Sequence, residues 1–114
     1  MWLLTTQGFY SVVAHRDDPD KLLVRARTRD DIEALREQIP MLEPFEDRSA
    51  DYRHRAVVTR AEWLVALAQL VTELDYDNFK SAVAECQGGD RAALYGAVWS
   101  ELRRLQRRGS DDVE

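Results

Sequence analysis

The sequence predicts an α+β fold, in which a small antiparallel three-stranded sheet has its helices packed on one side. Two observations support this fold class. Segments rich in β-branched and aromatic residues, with alternating apolar and polar side chains, occupy much of the first sixty residues. After them, apolar residues recur at three- and four-residue intervals, as in amphipathic helices. The resulting order, β-β-α-β-α-α-α, is typical of a domain whose helices are segregated from its sheet.

Length and composition predict a single domain over residues 1–108, followed by a polar C-terminal tail over residues 109–114. With 45% hydrophobic and 32% charged residues, the chain can bury a core and keep a solvated surface. The net charge of −5 argues against a protein whose whole surface binds a polyanion, but it allows a local basic patch.

Three features of the sequence predict a cytoplasmic protein without a membrane partner. Cys86 is the only cysteine, which excludes an intramolecular disulfide or a cysteine-rich zinc site and favours a reducing compartment. The apolar residues 1–4 lack a basic flank and are followed by polar residues, unlike a signal peptide. The longest helical apolar stretch, residues 64–71, is far shorter than the roughly 20 residues that cross a bilayer.

The first two strands should form a β-hairpin. Residues 2–14 favour a long first strand with a bend at Gly8, and the turn-forming residues 16–20 separate it from a second strand over residues 22–27. Alternate residues of the second strand should occupy a buried face and a half-polar face, namely Leu22, Val24 and Ala26 against Leu23, Arg25 and Arg27.

A helix and a third strand follow. Thr28 and Asp31 form a helix-start signal for a first helix over residues 29–38, and residues 40–50 should be an irregular connection. Residues 51–58 alternate as a third strand. Its two faces should carry Tyr52, His54, Ala56 and Val58 on one side and Arg53, Arg55 and Val57 on the other.

Three more helices are predicted after the last strand. Thr59 and Glu62 form a capping box for a strongly amphipathic helix over residues 60–74. The apolar stripe of this helix should consist of Trp63, Leu64, Leu67, Leu70, Val71 and Leu74. A short third helix begins near Phe79 and stops at Gly88-Gly89, and the last helix ends at Gly109. Leu94, Val98, Leu102 and Leu105 form the apolar stripe of that last helix. We expect Trp63, Cys86 and Trp99 to belong to the core.

Three stretches of the chain carry a resemblance to known sequences: residues 1–13, residues 23–27, and Asp75-Tyr76-Asp77-Asn78-Phe79-Lys80 with Tyr95 and Val98-Trp99 after it. Together they resemble a family of small bacterial proteins of about this length that has no assigned function. The match spans nearly the whole chain, and the Asp-Tyr-Asp-Asn-Phe-Lys block is its most specific part. The resemblance implies a single ancient unit, and it implies no activity, ligand or partner.

No catalytic, metal or cofactor site is predicted from the sequence. No phosphate-binding glycine loop is present, because Gly88-Gly89 lacks a following Lys-Ser/Thr. His15 and His54 are too few and too far apart in sequence to suggest a metal centre. Asp75 and Asp77 could hold a divalent cation, but acids at a helix break usually act as caps.

The basic residues of the second and third strands are the one candidate site. If Arg25 and Arg27 share a sheet face with Arg53 and Arg55, four guanidinium groups form one surface, with Tyr52 and His54 as further candidates. The alternative is that these arginines pair with nearby acids and cover apolar surface with their stems.

Three functional hypotheses follow from this pattern. The first is a non-enzymatic binding or regulatory module whose arginine-rich face engages an anionic protein surface or a nucleic acid, a protein partner being the main expectation. The second is a small enzyme that acts on an anionic substrate held by those arginines, with His54 or Asp75 as proton carrier. The third is an oligomeric structural or assembly protein.

Overall fold

The computed structural model describes the backbone of residues 1–113 and the side chains of residues 1–106. The fold is α+β, as predicted, and the chain divides into two compact units, Met1–Asp75 and Tyr76–Glu114. The first unit contains the whole sheet and two helices, and the second contains two further helices. The expectation of a single domain over residues 1–108 stays a prediction.

The sheet has five antiparallel strands rather than the predicted three, in the spatial order β1-β2-β3-β5-β4. The strands are β1, Trp2–Leu4; β2, Phe9–Ala14; β3, Lys21–Ala26; β4, Phe45–Glu46; and β5, His54–Thr59. The predicted first strand is split because Thr5 and Gly8 close a tight turn through three hydrogen bonds. The short β4 lies within residues 40–50, which were predicted to be irregular.

Two helices cover one face of the sheet. Helix α1, Arg29–Ala34, begins at the predicted cap, and a single 3-10 turn, Leu35–Glu37, extends it. Helix α2, Arg60–Thr72, begins with the predicted capping box, since the Thr59 and Glu62 side chains each accept a hydrogen bond from the other's backbone N–H. The core between sheet and helices contains Tyr10, Val12, Val24, Ala26, Ile32, Leu35, Ile39, Leu42, Ala56, Val58, Trp63 and Ala66.

A buried aspartate attaches α1 to the second strand. The Asp31 side chain is only 3% exposed, and its carboxylate accepts a hydrogen bond of 3.0 Å from the backbone N–H of Phe9. Its backbone carbonyl accepts a hydrogen bond of 2.8 Å from the Tyr10 hydroxyl, and its backbone N–H donates to the Thr28 cap. Because buried polar groups are costly without partners, these bonds fix the helix against β2.

The second unit is a hairpin of α3, Phe79–Gln87, and α4, Gly89–Val113, joined at Gly88 with a φ of 97°. The Phe79 and Tyr95 rings stack with their centroids 5.7 Å apart, and Val83 is fully buried. Helix α4 continues past the predicted end at Gly109. The predicted polar tail, residues 109–114, lies outside the part of the chain whose side chains are described.

Several residues predicted to be in the core are exposed. Trp63 is buried as expected, but Cys86 is exposed and Trp99 is 58% exposed. The predicted apolar stripes also lie largely on the surface, namely Leu64, Val71 and Leu74 of or just after α2 and Leu94, Val98, Leu102 and Leu105 of α4. Helix α2 contacts the core through a narrow strip in which only Trp63 and Ala66 are buried, so apolar residues on either side of this strip stay exposed. None of the described helices is long and apolar enough to span a bilayer.

The close approach at Gly8 gives a stability prediction with a matched control. A Cβ at Gly8 would lie 2.8 Å from the Tyr10 hydroxyl and 2.9 Å from the Asp31 carboxyl carbon, both of which are buried and hydrogen-bonded. Gly8→Ala should therefore lower the free energy of unfolding by about 1–3 kcal/mol in urea denaturation. Gly89→Ala meets no atom within 4 Å and should be neutral or slightly stabilising. Equal unfolding midpoints for the two variants would contradict this account.

Candidate functional site

The face of the sheet opposite α1 and α2 carries two rows of side chains that cross the strands. Trp2, Ser11, Arg25 and Arg55 lie directly opposite one another on β1, β2, β3 and β5, and we call them the cationic row. Val13, Leu23 and Val57 form a parallel aliphatic row two residues away, roughly 7 Å along the strands. With Leu4, Phe9 and Lys21, these two rows form the surface that we call the open face.

The solvent exposure of neighbouring valines distinguishes the open face from the core face. Val13 and Val57 are 37% and 39% exposed, whereas Val12 and Val58, one residue away on the same strands, are 5% and 2% exposed. Trp2, on the edge strand, is 69% exposed. Apolar side chains such as these are normally buried, so a contiguous set of exposed ones indicates an interaction site.

The two predicted arginine pairs meet on this side of the sheet through Arg25 and Arg55, which are direct cross-strand neighbours. Arg27 follows the last residue of β3, and Arg53 precedes the first residue of β5. Arg53 is exposed, and its guanidinium makes no hydrogen bond or ion pair with the described residues. The register therefore brings together the arginine of each pair that lies within a strand, namely Arg25 and Arg55.

Tyr52 lies beneath the arginines. Its ring centroid is 4.7 Å from the guanidinium carbon of Arg25 and 4.1 Å from that of Arg27, and 6.4 Å from the Phe9 ring. The side chain is 5% exposed. Tyr52 was predicted to share a face with His54, but it precedes β5 and is not bound by the alternation of that strand. Stacking on an aromatic face is a favourable position for a guanidinium group, so Tyr52 helps to fix both arginines.

Hydrogen bonds restrict the same guanidinium groups further. Arg25 Nη2 donates to Ser11 Oγ at 2.6 Å, and Arg55 Nε donates to the Tyr52 carbonyl at 2.9 Å. Arg27 Nη1 forms an exposed ion pair of 2.8 Å with Asp51, which raises the pKa of Arg27 above its usual value. The charge of Arg27 is thus largely compensated, whereas Arg25 and Arg55 form no ion pair with a carboxylate of the described residues.

The open face contains cations and no carboxylate. The only acidic residue in any of the five described strands is Glu46, and its register partner is His54, on the core side of β5. Asp47, in the loop after β4, has a pKa below its usual value, mainly because the Ser49 side chain and backbone donate hydrogen bonds to it and to a smaller extent because of Arg55. In a chain of net charge −5, this one-signed surface is a local exception.

His54 lies on the core side of β5, whereas Arg25 and Arg55 extend from the other side of the sheet. His54 lines a small pocket of about 220 Å³, together with Arg29, Ile32, Glu33, Pro44, Phe45 and Glu46. His15 holds the β2–β3 turn, where its Nδ1 accepts the backbone N–H groups of Asp17 and Asp18. The described residues contain no group of three His, Cys, Asp or Glu side chains that could hold a metal ion.

Comparisons with known proteins add no relative: no family model matches the chain, and neither a curated protein nor a solved structure is detectably similar to it. The resemblance to a bacterial family therefore stays a prediction.

The sequence pattern did not mark Trp2 or the aliphatic row as candidate binding residues. The signal that could have found them is the apolar content of both alternating faces of β2 and β3, because a strand with one solvated face normally places polar residues there.

The stacked position of Tyr52 predicts that its ring, rather than its volume alone, stabilises the first unit. Tyr52→Leu removes both guanidinium contacts and should lower the free energy of unfolding by about 1–2 kcal/mol more than Tyr52→Phe, which keeps the ring. Urea denaturation followed by circular dichroism measures the difference. Equal stabilities for the two variants would show that the arginines gain nothing from the ring.

Proposed function

We propose that the chain is a non-enzymatic binding module whose open face engages an anionic macromolecule. The observation that carries the proposal is the pair Arg25 and Arg55, side by side in adjacent strands on a face whose strand residues include no carboxylate. Like charges directly opposite each other destabilise a sheet. Neither arginine forms an ion pair with a carboxylate of the described residues, so a bound anion would relieve the repulsion between them. This supports a function in binding rather than in folding.

The apolar part of the open face supports the same proposal. Trp2, Val13 and Val57 remain exposed beside the arginines, and tryptophan and arginine are the residue types that dominate the energy of protein interfaces. The arginines are also held in place before any ligand arrives, by Tyr52 and Ser11. Such pre-organisation lowers the conformational entropy lost on binding.

The enzyme hypothesis has less support. It requires one pocket that contains both the arginines and a proton carrier. The pocket that His54 lines includes Arg29, and none of Arg25, Arg27, Arg53 and Arg55 lines it. His54 and the cationic row lie on opposite faces of the sheet, which is the reason to prefer the binding module.

The binding proposal predicts a salt-sensitive association that depends on two arginines. Labelled poly-glutamate, oligo-dT and heparin are titrated with the chain at low and high salt, and fluorescence anisotropy reports binding. At least one probe should bind at low salt, and Arg25→Gln with Arg55→Gln should weaken it by about tenfold or more, since charge-assisted hydrogen bonds are lost. Glutamine keeps a polar head that can still bond Ser11.

The control is a variant with the same change in net charge. Arg48→Gln with Arg104→Gln removes two exposed arginines that are not part of the open face and that already pair with carboxylates, Glu46 and Glu101. This variant should bind as the unmodified chain does. If no probe binds, or if both double variants lose affinity equally, the open face is not the binding surface.

A second candidate function, assembly of an oligomer, is favoured by the exposed stripe of α4. Leu94, Leu102 and Leu105 are 64%, 59% and 67% exposed, and with Val98 they share one side of the helix. Only Val83 and Tyr95 are buried among the described side chains of this unit, which is a small core for two helices. Burial against another chain would supply the missing apolar contact.

The assembly candidate predicts that the chain's mass in solution rises with concentration. In sedimentation equilibrium the full chain should exceed the monomer mass, and Leu102→Glu should return it to the monomer because a charge would enter the contact. Leu64→Glu, at an exposed position of α2, is the matched control and should leave the mass distribution unchanged. A full chain that stays monomeric at every concentration rules the candidate out.

A further inference from the structure

We infer that the partner of the open face is a protein segment that combines carboxylate and aliphatic side chains, rather than a nucleic acid. This inference rests on the proposed function and gives the chemistry of the partner. It depends on three properties of the face: which rings are accessible, how many cations are unpaired, and where the aliphatic side chains lie relative to them.

The central ring of the site is not accessible to a nucleobase. Proteins that bind single-stranded nucleic acids stack bases on exposed aromatic side chains. Tyr52 is 5% exposed, and its ring is already stacked by the guanidinium groups of Arg25 and Arg27. Phe9 is half-buried and lies edge-on to Trp2 at 5.8 Å. Two well-exposed rings remain on this side of the sheet, Trp2 on β1 and Phe45 on β4, and three other strands separate these two edge strands.

The number of unpaired cations is small. Arg27 is paired with Asp51, and Lys21 is paired with Asp18 at 3.8 Å, which leaves Arg25 and Arg55 on the open face and the exposed Arg53 just before β5. Nucleic-acid binding at moderate salt commonly rests on about 6–10 phosphate contacts. These three guanidinium groups fall well short of that number, but Arg25 and Arg55 match one or two carboxylates.

The unpaired guanidinium groups retain donors for a carboxylate. Each arginine has five N–H donors, and the described bonds use only Nε and Nη2 of Arg25 and Nε of Arg55. The remaining Nη groups of both side chains are available, and planar guanidinium groups bind carboxylates through paired hydrogen bonds. The two arginines are direct register neighbours, so one acidic segment can reach both.

The aliphatic row gives the partner its second property. Val13, Leu23 and Val57 are in register across three strands and lie beside the cationic row, roughly 7 Å away. Aliphatic side chains favour apolar partners and offer no stacking surface for bases. A segment laid across the strands would place carboxylates over one row and aliphatic side chains over the other.

A second copy of this chain does not fit the same surface. Pairing two open faces would bring Arg25 and Arg55 against their own counterparts, and neither copy supplies a carboxylate from the face. Juxtaposed like charges disfavour such a pairing. Charge complementarity thus selects an acidic segment rather than a second open face.

The test is selection from a phage-displayed random peptide library on the immobilised full chain, with oligo-dT and oligo-rU measured in parallel. Selected peptides should be enriched in Asp or Glu together with Leu, Ile or Val. As synthetic peptides they should bind about tenfold more weakly to Arg25→Gln with Arg55→Gln, and also to Val57→Gln. Arg48→Gln with Arg104→Gln and Leu64→Gln are the controls, and both should bind normally.

The outcomes separate this inference from the proposed function. Oligonucleotides that bind through Arg25 and Arg55, in the absence of any acidic peptide, would overturn the inference and leave the binding module standing. Selected peptides without carboxylates would overturn the inference as well. If neither peptides nor oligonucleotides bind through the open face, the inference and the proposed function both fail. Circular dichroism of every variant excludes loss of folding as the cause.

Discussion

The register of β3 against β5 is the constraint on which the rest of this structure depends. It places Val24 opposite Ala56 and Leu22 opposite Val58 on the core face, and it places Arg25 opposite Arg55 on the other. A slip of one residue would turn the core residues of either strand to the solvent. One end of the pair is fixed where the backbone N–H and the side chain of Arg60 bond the carbonyls of Asp20 and Pro19.

The same constraint explains why the candidate site is stiff. Arg25 and Arg55 extend from central strands rather than from loops, and both contact Tyr52, one through its ring and one through its carbonyl. Tyr52 is therefore both a packing residue and the support of the cations. The two interpretations of the arginines are not exclusive: Arg27 is compensated by Asp51, whereas Arg25 and Arg55 form no ion pair among the described residues. A face built in this way combines structural stability with residual charge.

How much of the molecule could be predicted from sequence depended on whether the signal was local. Capping at Thr28 and at Thr59 with Glu62 was readable because the bonds join residues three apart. The alternation of β3 and β5 placed Arg25 and Arg55 on one face, whereas Arg27 and Arg53 lie just outside these strands. The split after Leu4 was not predicted, since it arises from side chain to backbone bonds between Thr5 and Gly8. Cys86 and Trp99 were predicted to be buried because apolar spacing marks a face, whereas burial requires a partner that a two-helix hairpin does not offer to every face.

The central claim is that the sheet has an uncovered side, and NMR can measure this directly as the relaxation that a soluble paramagnetic chelate causes at valine methyl groups. The account predicts strong relaxation at Val13 and Val57 and weak relaxation at Val12 and Val58, their neighbours on the core face. Equal protection of all four valines would contradict it, because the arginine-bearing side would then be covered in solution.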